Sequence, residues 1–397
     1  MIEKIKQLAK SLESEIIGYR RYIHENPELS FQEKNTQAFI KSKLKAMGID
    51  AKEIGTTGLV ALIEGKHPDK SGGKVVALRA DMDALPINEE TAIDFVSKNK
   101  GVMHACGHDV HSACLLGAAS ILKSTSADWT GTVKLIFQPG EEKLPGGASI
   151  LIKEGILSNP KPDAIIGQHV MPWIDTGGFG FREGLYMAST DEIYITVNGK
   201  GGHGAMPQFA IDPIAVSAQI IIALQQVISR KAMPTIPSVL TIGKINSDGG
   251  ATNIIPQSVK MEGTFRTFDE QWRTAAHDQI KTIVEHTAQA FGATATVNIV
   301  RGYPFLMNDE KITQIAKNAA QAYIGAENVE DLDMYLAAED FSYYSQEIPA
   351  TFYRLGIRNA SKDCSYPVHH PKFKVDEDAL ANGSGMMAWL AINYLEQ

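Results

Sequence analysis

Between Gly101 and His111 the chain carries His104, Cys106, His108, Asp109 and His111, five coordinating side chains within eight positions. A thiolate and an imidazole two residues apart, on a turn containing Gly107, can both face one divalent cation. Taken singly, each histidine reads equally well as a polar loop residue, and burial is the usual fate of a free cysteine. Taken together they make a candidate metal turn, for which other segments must supply further ligands. Glu141 and Glu142 are adjacent, so on an extended backbone they point to opposite sides. Such a pair can divide the labour: one carboxylate ligates while its neighbour takes a proton from a metal-bound water. Water on a divalent ion has a pKa near ~7, against about 15.7 in bulk. A carboxylate in reach acts as general base and later returns the proton to a leaving amine. Cys106, His108, Glu142, His169 and one histidine of the pair His369-His370 offer mixed N, O and S donors for one or two ions. Two ions about 3.5–4 Å apart could share the water and polarise a carbonyl. The competing chemistry, Cys106 as a nucleophile beside a histidine, leaves the paired glutamates without a task. A non-catalytic metal-binding protein would need the ligands but no base.

The elements that must present these groups can be read from periodicity. Residues 3–24 form an amphipathic helix, with Ile5, Leu8, Leu12, Ile16 and Tyr19 on one face, and a second helix spans 33–47, ending at Gly48. Residues 59–63 and 74–78 read as strands, with a turn at Lys70-Ser-Gly-Gly between them. Residues 109–123 form a helix whose start abuts the metal turn. Residues 131–137 and 164–167 are short apolar strands of the buried type. Three of these strands run into Asp81 and Asp83, Glu141 and Glu142, and His169, and ligands of open α/β sheets bind at carboxyl ends of strands. From about residue 188 the pattern changes to strand 192–197, helix 212–230 begun by Asp212-Pro213, paired strands 239–246 and 259–267, helix 271–291 and strand 294–300. That βαββαβ order is ferredoxin-like and lacks a coordinating cluster, which marks it as an insertion. A last helix covers 376–395.

The chain has 397 residues, which suits two or three domains. With 44% hydrophobic and 21% charged residues it has ample core material. A net charge of −8 argues against a nucleic-acid partner. No apolar run reaches the ~18 residues of a membrane span; the longest, near Ile214–Leu224, is interrupted by Ser217 and Gln219. Cys106, Cys114 and Cys364 make no even framework, and the first residues lack a signal-peptide core. The expectation is a soluble, cytoplasmic protein.

Five stretches, Arg79-Ala-Asp-Met-Asp-Ala-Leu-Pro86, Met103-His-Ala-Cys-Gly-His-Asp109, Phe137-Gln-Pro-Gly-Glu-Glu142, Gly199-Lys-Gly-Gly-His-Gly-Ala-Met-Pro207 and His369-His-Pro-Lys-Phe373, resemble the aminoacylase/carboxypeptidase family of metal-dependent peptidases. Within it they are similar to the amidohydrolase branch that holds hippurate hydrolases, auxin-conjugate hydrolases, N-acetyl-diaminopimelate deacetylases and thermostable carboxypeptidases. The resemblance runs in order over nearly the whole chain. It implies metal ligands Cys106, His108, Glu142, His169 and His369 for one or two divalent ions (Zn, Mn, Co or Ni). Glu141 would be the general base and Asp83 an acid that orients a ligand. It further implies an α/β zinc-peptidase-like catalytic domain (1–187 and 302–397) and an inserted ferredoxin-like lid and dimerisation domain (188–301). His203, otherwise readable as a surface histidine in a tight turn, would stabilise the developing oxyanion. Asn253 and Arg266 would grip the substrate carboxylate. The implied activity is hydrolysis of the amide bond of N-acyl- or aminoacyl-amino acids, with carboxypeptidase action on short peptides or N-acetyl-diaminopimelate deacetylation as the alternative. The implied assembly is a homodimer or higher homo-oligomer. Gly140, where the family more often has alanine, is expected to be harmless. Ala337, where glycine is common, is expected to narrow the pocket.

Overall fold

The computed structural model describes residues 1–67 and 73–397. The chain divides into two compact units, the first comprising Met1–Tyr186, Met307–Met334 and Asp340–Gln397, the second Met187–Leu306 with Tyr335–Glu339. Three details differ from the expected boundaries: the second unit starts at Met187, the chain returns to the first unit at Met307, and Tyr335–Glu339 groups with the second unit.

The first unit is built on an eight-stranded sheet. Its first six strands along the chain are β1 (Ala51–Ile54), β2 (Gly58–Glu64), β3 (Val75–Asp81), β4 (Thr132–Gln138), β5 (Ala164–Asp175) and β6 (Phe179–Phe181). Across the sheet the order is β1, β2, β4, β3, β5, Ala350–Arg358, β6, Val329–Asp331. Strands β4, β3, β5 and Ala350–Arg358 run parallel to their neighbours in that series. All seven residues of β3 are buried, whereas β2 alternates towards solvent, so β3 is central and β2 lies near the edge. Consecutive strands β2 and β3 do not pair: β4 lies between them, antiparallel to β2 and parallel to β3. The turn expected at Lys70-Ser-Gly-Gly falls, but for Gly73, outside the described residues.

Helices α1 (Ile2–Glu25), α2 (Lys34–Ala46) and α3 (His108–Ser124) follow the expected spans closely. In α3, fourteen of the seventeen residues are buried, which makes it a central helix rather than an amphipathic surface one. With α1 and the helix Ala379–Leu395 it forms the main core through Ile16, Val110, Leu115, Leu116, Met386 and Leu390. Its start is fixed by Gly107, whose φ of +83° suits glycine and whose added Cβ would lie 2.5 Å from Val170 Cγ2. The turn carrying Cys106 and His108 is therefore pressed directly onto β5.

Strand β5 runs to Asp175, eight residues beyond the predicted end, so His169 sits within a strand and not after one. Pro172 falls within this longer strand. It lies where the pairing with Ala350–Arg358 shifts register, between Gly356 and Arg358, a place where a missing N–H is tolerated.

The second unit has its own core. Strands Ser238–Ser247, Ser258–Thr267, Asp191–Asn198 and Thr294–Arg301 lie in that order, all antiparallel. Helices Pro213–Gln226 and Glu270–Ala290 pack on them through Val216, Ile220, Leu224, Ala276, Ile280 and Val284. Each helix begins on an aspartate cap: Asp212 accepts the Ile214 N–H at 2.9 Å and Asp269 the Trp272 N–H at 2.7 Å. Among the described residues, only Pro213–Lys231 has the length and mean hydropathy (1.2) of a membrane span. Its Val216, Ile220, Leu224 and Val227 are used in this core.

Candidate metal centre

The five candidate ligands come from four places in the first unit. Cys106 and His108 flank Gly107 at the start of α3, Glu142 follows β4, His169 projects from β5, and His369 lies in the loop before Pro371. The donor atoms of Cys106, His108 and His169 lie within 4.8 Å of one another, and so do those of Cys106, Glu142 and His369. Cys106 Sγ is 3.5 Å from His169 Nε2. Glu142 Oε1 is 3.2 Å from His369 Nε2 and 3.9 Å from His108 Nε2. Donors at 2.0–2.3 Å from a tetrahedral ion stand about 3.3–3.7 Å apart, so these spacings fit the edges of a coordination shell. Of the neighbouring histidines, His369 faces Glu142, while His370 stacks on Tyr366 at 4.7 Å.

Two buried atoms speak for a cation. His108 Nε2 and Glu142 Oε1 are shielded from solvent and neither makes a hydrogen bond, the close approach of His369 to Glu142 lacking the alignment for one. Such atoms are costly unless a partner serves them. The opposite ring nitrogens are committed: His169 Nδ1 donates to the Val170 carbonyl at 2.8 Å, and His108 Nδ1 lies 3.2 Å from Asp83 Oδ1. Both rings thus turn Nε2 towards the cage, the arrangement that outer carboxylates and carbonyls impose on metal-bound histidines. The charges agree. Burial opposes protonation of His108, yet Asp81 and Cys106 hold its pKa well above the ordinary range. The facing Cys106 thiol and Glu142 carboxylate push His369 up to about 10. Burial, with the Glu142 charge, pushes the Cys106 thiol up. A pocket this rich in acids favours positive charge, and the donor set fits a divalent ion.

Around the cage a layer of acids sets the geometry. Asp83 accepts from the backbone N–H of Glu141 and of Glu142 at 3.0 Å each, and from Ser30 Oγ at 2.6 Å. Glu141 is buried, with the Asp340 N–H 3.4 Å from its Oε1 and His108 Nε2 4.0 Å from its Oε2. Its carboxylate therefore borders the cage, as one half of a divided pair should. His111 is not available as a ligand: Nδ1 binds Asp81 at 2.6 Å and Nε2 accepts the Val170 N–H at 2.9 Å. His104 is fully buried and burial lowers its pKa to about 3.

Sequence reasoning missed the support beneath. Arg79, wholly buried, binds Asp81 at 2.6 Å, Asp340 at 2.7 Å and Gln138 at 3.0 Å. Arg354, cross-strand from His169, donates to Tyr186 Oη at 2.5 Å. An arginine opening the stretch that holds both aspartates was the available signal for Arg79; nothing in the sequence marks Arg354.

The other candidates belong to the second unit. His203 is exposed on a two-residue strand, paired with Ile254, and Gly204 N–H donates to the Asn253 carbonyl at 2.7 Å. His203 and Asn253 are thus neighbours on one rim. Arg266 is part-buried, with Nη1 donating to the Leu336 carbonyl at 3.1 Å.

Residues 77–393 match the model of peptidase family M20/M25/M40. The chain is 41% identical to thermostable carboxypeptidase 2 of Saccharolobus solfataricus, over 99% of both chains. It is 42% identical to an N-acetyl-L-cysteine deacetylase of Bacillus subtilis, over 94% of this chain and 86% of that one. A solved structure of a dinuclear metal binding peptidase of Bacillus subtilis, 36% identical, superposes with a TM-score of 0.82 over 98% of this chain and 99% of that one.

Proposed function

Because the chain belongs to peptidase family M20/M25/M40 and is a hydrolase of amide or peptide bonds, we propose that it is a metal-dependent amidohydrolase of N-acyl- or aminoacyl-amino acids. Cys106, His108, Glu142, His169 and His369 would hold one or two divalent ions. An ion there supplies Lewis acidity, polarising the amide carbonyl and making water acidic enough to ionise near neutral pH. Glu141 takes the proton of the attacking water and hands it to the departing amine. Asp83 fixes the backbone of both glutamates and the ring of His108. In the second unit, His203 donates to the developing oxyanion, and Asn253 and Arg266 bind the substrate carboxylate.

The observation that carries this reading is the pair of unbonded buried donors, His108 Nε2 and Glu142 Oε1, beside a second glutamate that a binding protein would not need. The second unit serves as a ferredoxin-like lid, in keeping with its βαββαβ order, and as a dimerisation element. Ile222 (64% exposed) on one helix and Ile245 (50%) on the edge strand Ser238–Ser247 support self-association. Three unpaired cysteines support a reducing, cytoplasmic setting. Carboxypeptidase action on short peptides is the second reading, favoured by the 41% identity to a carboxypeptidase over the full chain.

The test is hydrolysis of acetyl-, benzoyl- and aminoacyl-amino acids after chelation and re-addition of Zn²⁺, Mn²⁺, Co²⁺ or Ni²⁺. Activity should vanish on chelation and return with metal. Glu141→Gln should keep its metal and lose about 10²- to 10⁴-fold in kcat. Turnover by the chelated protein, or by Glu141→Gln at the parental rate, would overturn the reading.

A further inference from the structure

The segment Ser30–Glu33, between α1 and α2, binds the loop that carries the paired glutamates. Glu33 is wholly buried. Its Oε1 accepts the Phe31 N–H at 2.9 Å and the Gly140 N–H at 2.8 Å, and its Oε2 accepts from Thr57 Oγ1. With Asp83 taking the N–H groups of Glu141 and Glu142, three successive peptides are each tied to a buried carboxylate. Phe31 has φ +67°, a conformation a bulky aromatic residue rarely adopts. That conformation brings its ring over Gly140, where an added Cβ would lie 2.2 Å from Phe31 Cε1. Gly140 itself has φ +60°. An alanine at this position would require the Phe31 ring to move.

We infer that Glu33 is a positioning residue for Glu141: by holding the Gly140 peptide under the Phe31 ring, it fixes the direction in which the general base leaves the backbone. The inference rests on the proposed role of Glu141. Glu33 touches neither substrate nor metal, and it acts only through the loop. Small misplacement of a reacting group costs up to about 10²-fold in rate, so the effect belongs in kcat.

The experiment compares Glu33→Ala, Glu33→Gln, Gly140→Ala and the double variant Phe31→Ala/Gly140→Ala in the full, metal-loaded chain. The substrate is the acyl-amino acid that the parent turns over fastest, and metal per chain is measured alongside. Glu33→Ala should lose about tenfold or more in kcat, with KM and metal content within about twofold. Glu33→Gln, which keeps an acceptor for the Gly140 N–H, should restore most of the rate. Gly140→Ala should fall like Glu33→Ala, and removing the Phe31 ring should recover it. A parental kcat in Glu33→Ala, or a loss that merely tracks metal content or that Glu33→Gln shares in full, overturns the inference. Glu141→Gln runs in parallel. If it is inactive while Glu33→Ala is unaffected, only the positioning role falls; if it is active, the general-base reading falls first.

Discussion

Asp83 is the side chain on which most of the centre's geometry converges. It receives Ser30 Oγ, two peptide N–H groups and the ring of His108, and it bears a full charge. Burial alone would raise its pKa, but the bond from His108 and those from Ser30 and Glu142 hold it below the usual carboxylate range. Asparagine at this position keeps one acceptor oxygen but puts an amide donor against N–H groups that need acceptors. Asp83→Asn should therefore weaken metal affinity by about 10- to 100-fold without changing which metal binds, as read by competition with a chelating dye. Unaltered affinity would show that His108 orients itself. Most of the cage was legible at this scale. Cys106, His108, Glu141 and Glu142 sit in short local runs whose donor types declare themselves. Glu33 and Ser30 were not, because an acid or a serine near a helix start looks the same whether it caps its own helix or, as here, binds the distant Gly140 peptide or the Asp83 carboxylate.

At the scale of elements, the turn into α3 and strand β5 form one mechanical unit. Gly107 has no room for a side chain against Val170, the residue after His169. Gly107→Ala should thus cost about 1–3 kcal/mol from its backbone conformation alone and disturb two candidate ligands together. Adding Val170→Ala should relieve the steric part, which thermal unfolding and metal titration of both variants would reveal. The true length of β5 could not be read from the sequence, since Pro172 is a sound reason to end a strand unless its N–H falls at a register shift. Sheet order was equally hidden. It depends on β4 finding a place between β2 and β3, and no local pattern encodes that pairing.

In the second unit, Asp191 at the head of its strand accepts Arg273 Nε at 2.9 Å and Nη2 at 2.6 Å, and lies 2.6 Å from His277 Nε2. Burial would raise its pKa, yet the bonds to His277 and Arg273 lower it. A carboxyl with a folded pKa below its unfolded value of about 3.9 stabilises the fold above that pH, and the contribution is lost as pH falls through the folded value. The second unit should thus hold its stability at neutral pH and weaken in acid below about pH 4. Asp191→Asn should be destabilised by about 3–5 kcal/mol at pH 7 and show a flatter acid limb. A variant with the parental limb would place the acid sensitivity elsewhere.

For the molecule as a whole, the candidate ligands all belong to one unit while the other has a separate core. A bound ion stabilises only the unit that binds it, by about 4 kcal/mol at a thousand times its dissociation constant. Calorimetry should resolve two transitions, of which chelation lowers one and spares the other. Equal shifts in both would mean that the units unfold as a single cooperative body. The two-unit plan itself was readable because hydrophobic periodicity changes character near residue 188. Tyr335–Glu339 escaped notice, since a five-residue excursion leaves no such mark.

His369 is translated only after the entire second unit, long after Cys106, His108, Glu142 and His169 have emerged from the ribosome. Throughout that interval the nascent polypeptide exposes a cysteine and three other donors without their closing partner. On the proposed ligand set, loading would wait until His369 has emerged. On that ligand set, a premature stop anywhere in the intervening stretch would yield a fragment lacking one proposed ligand.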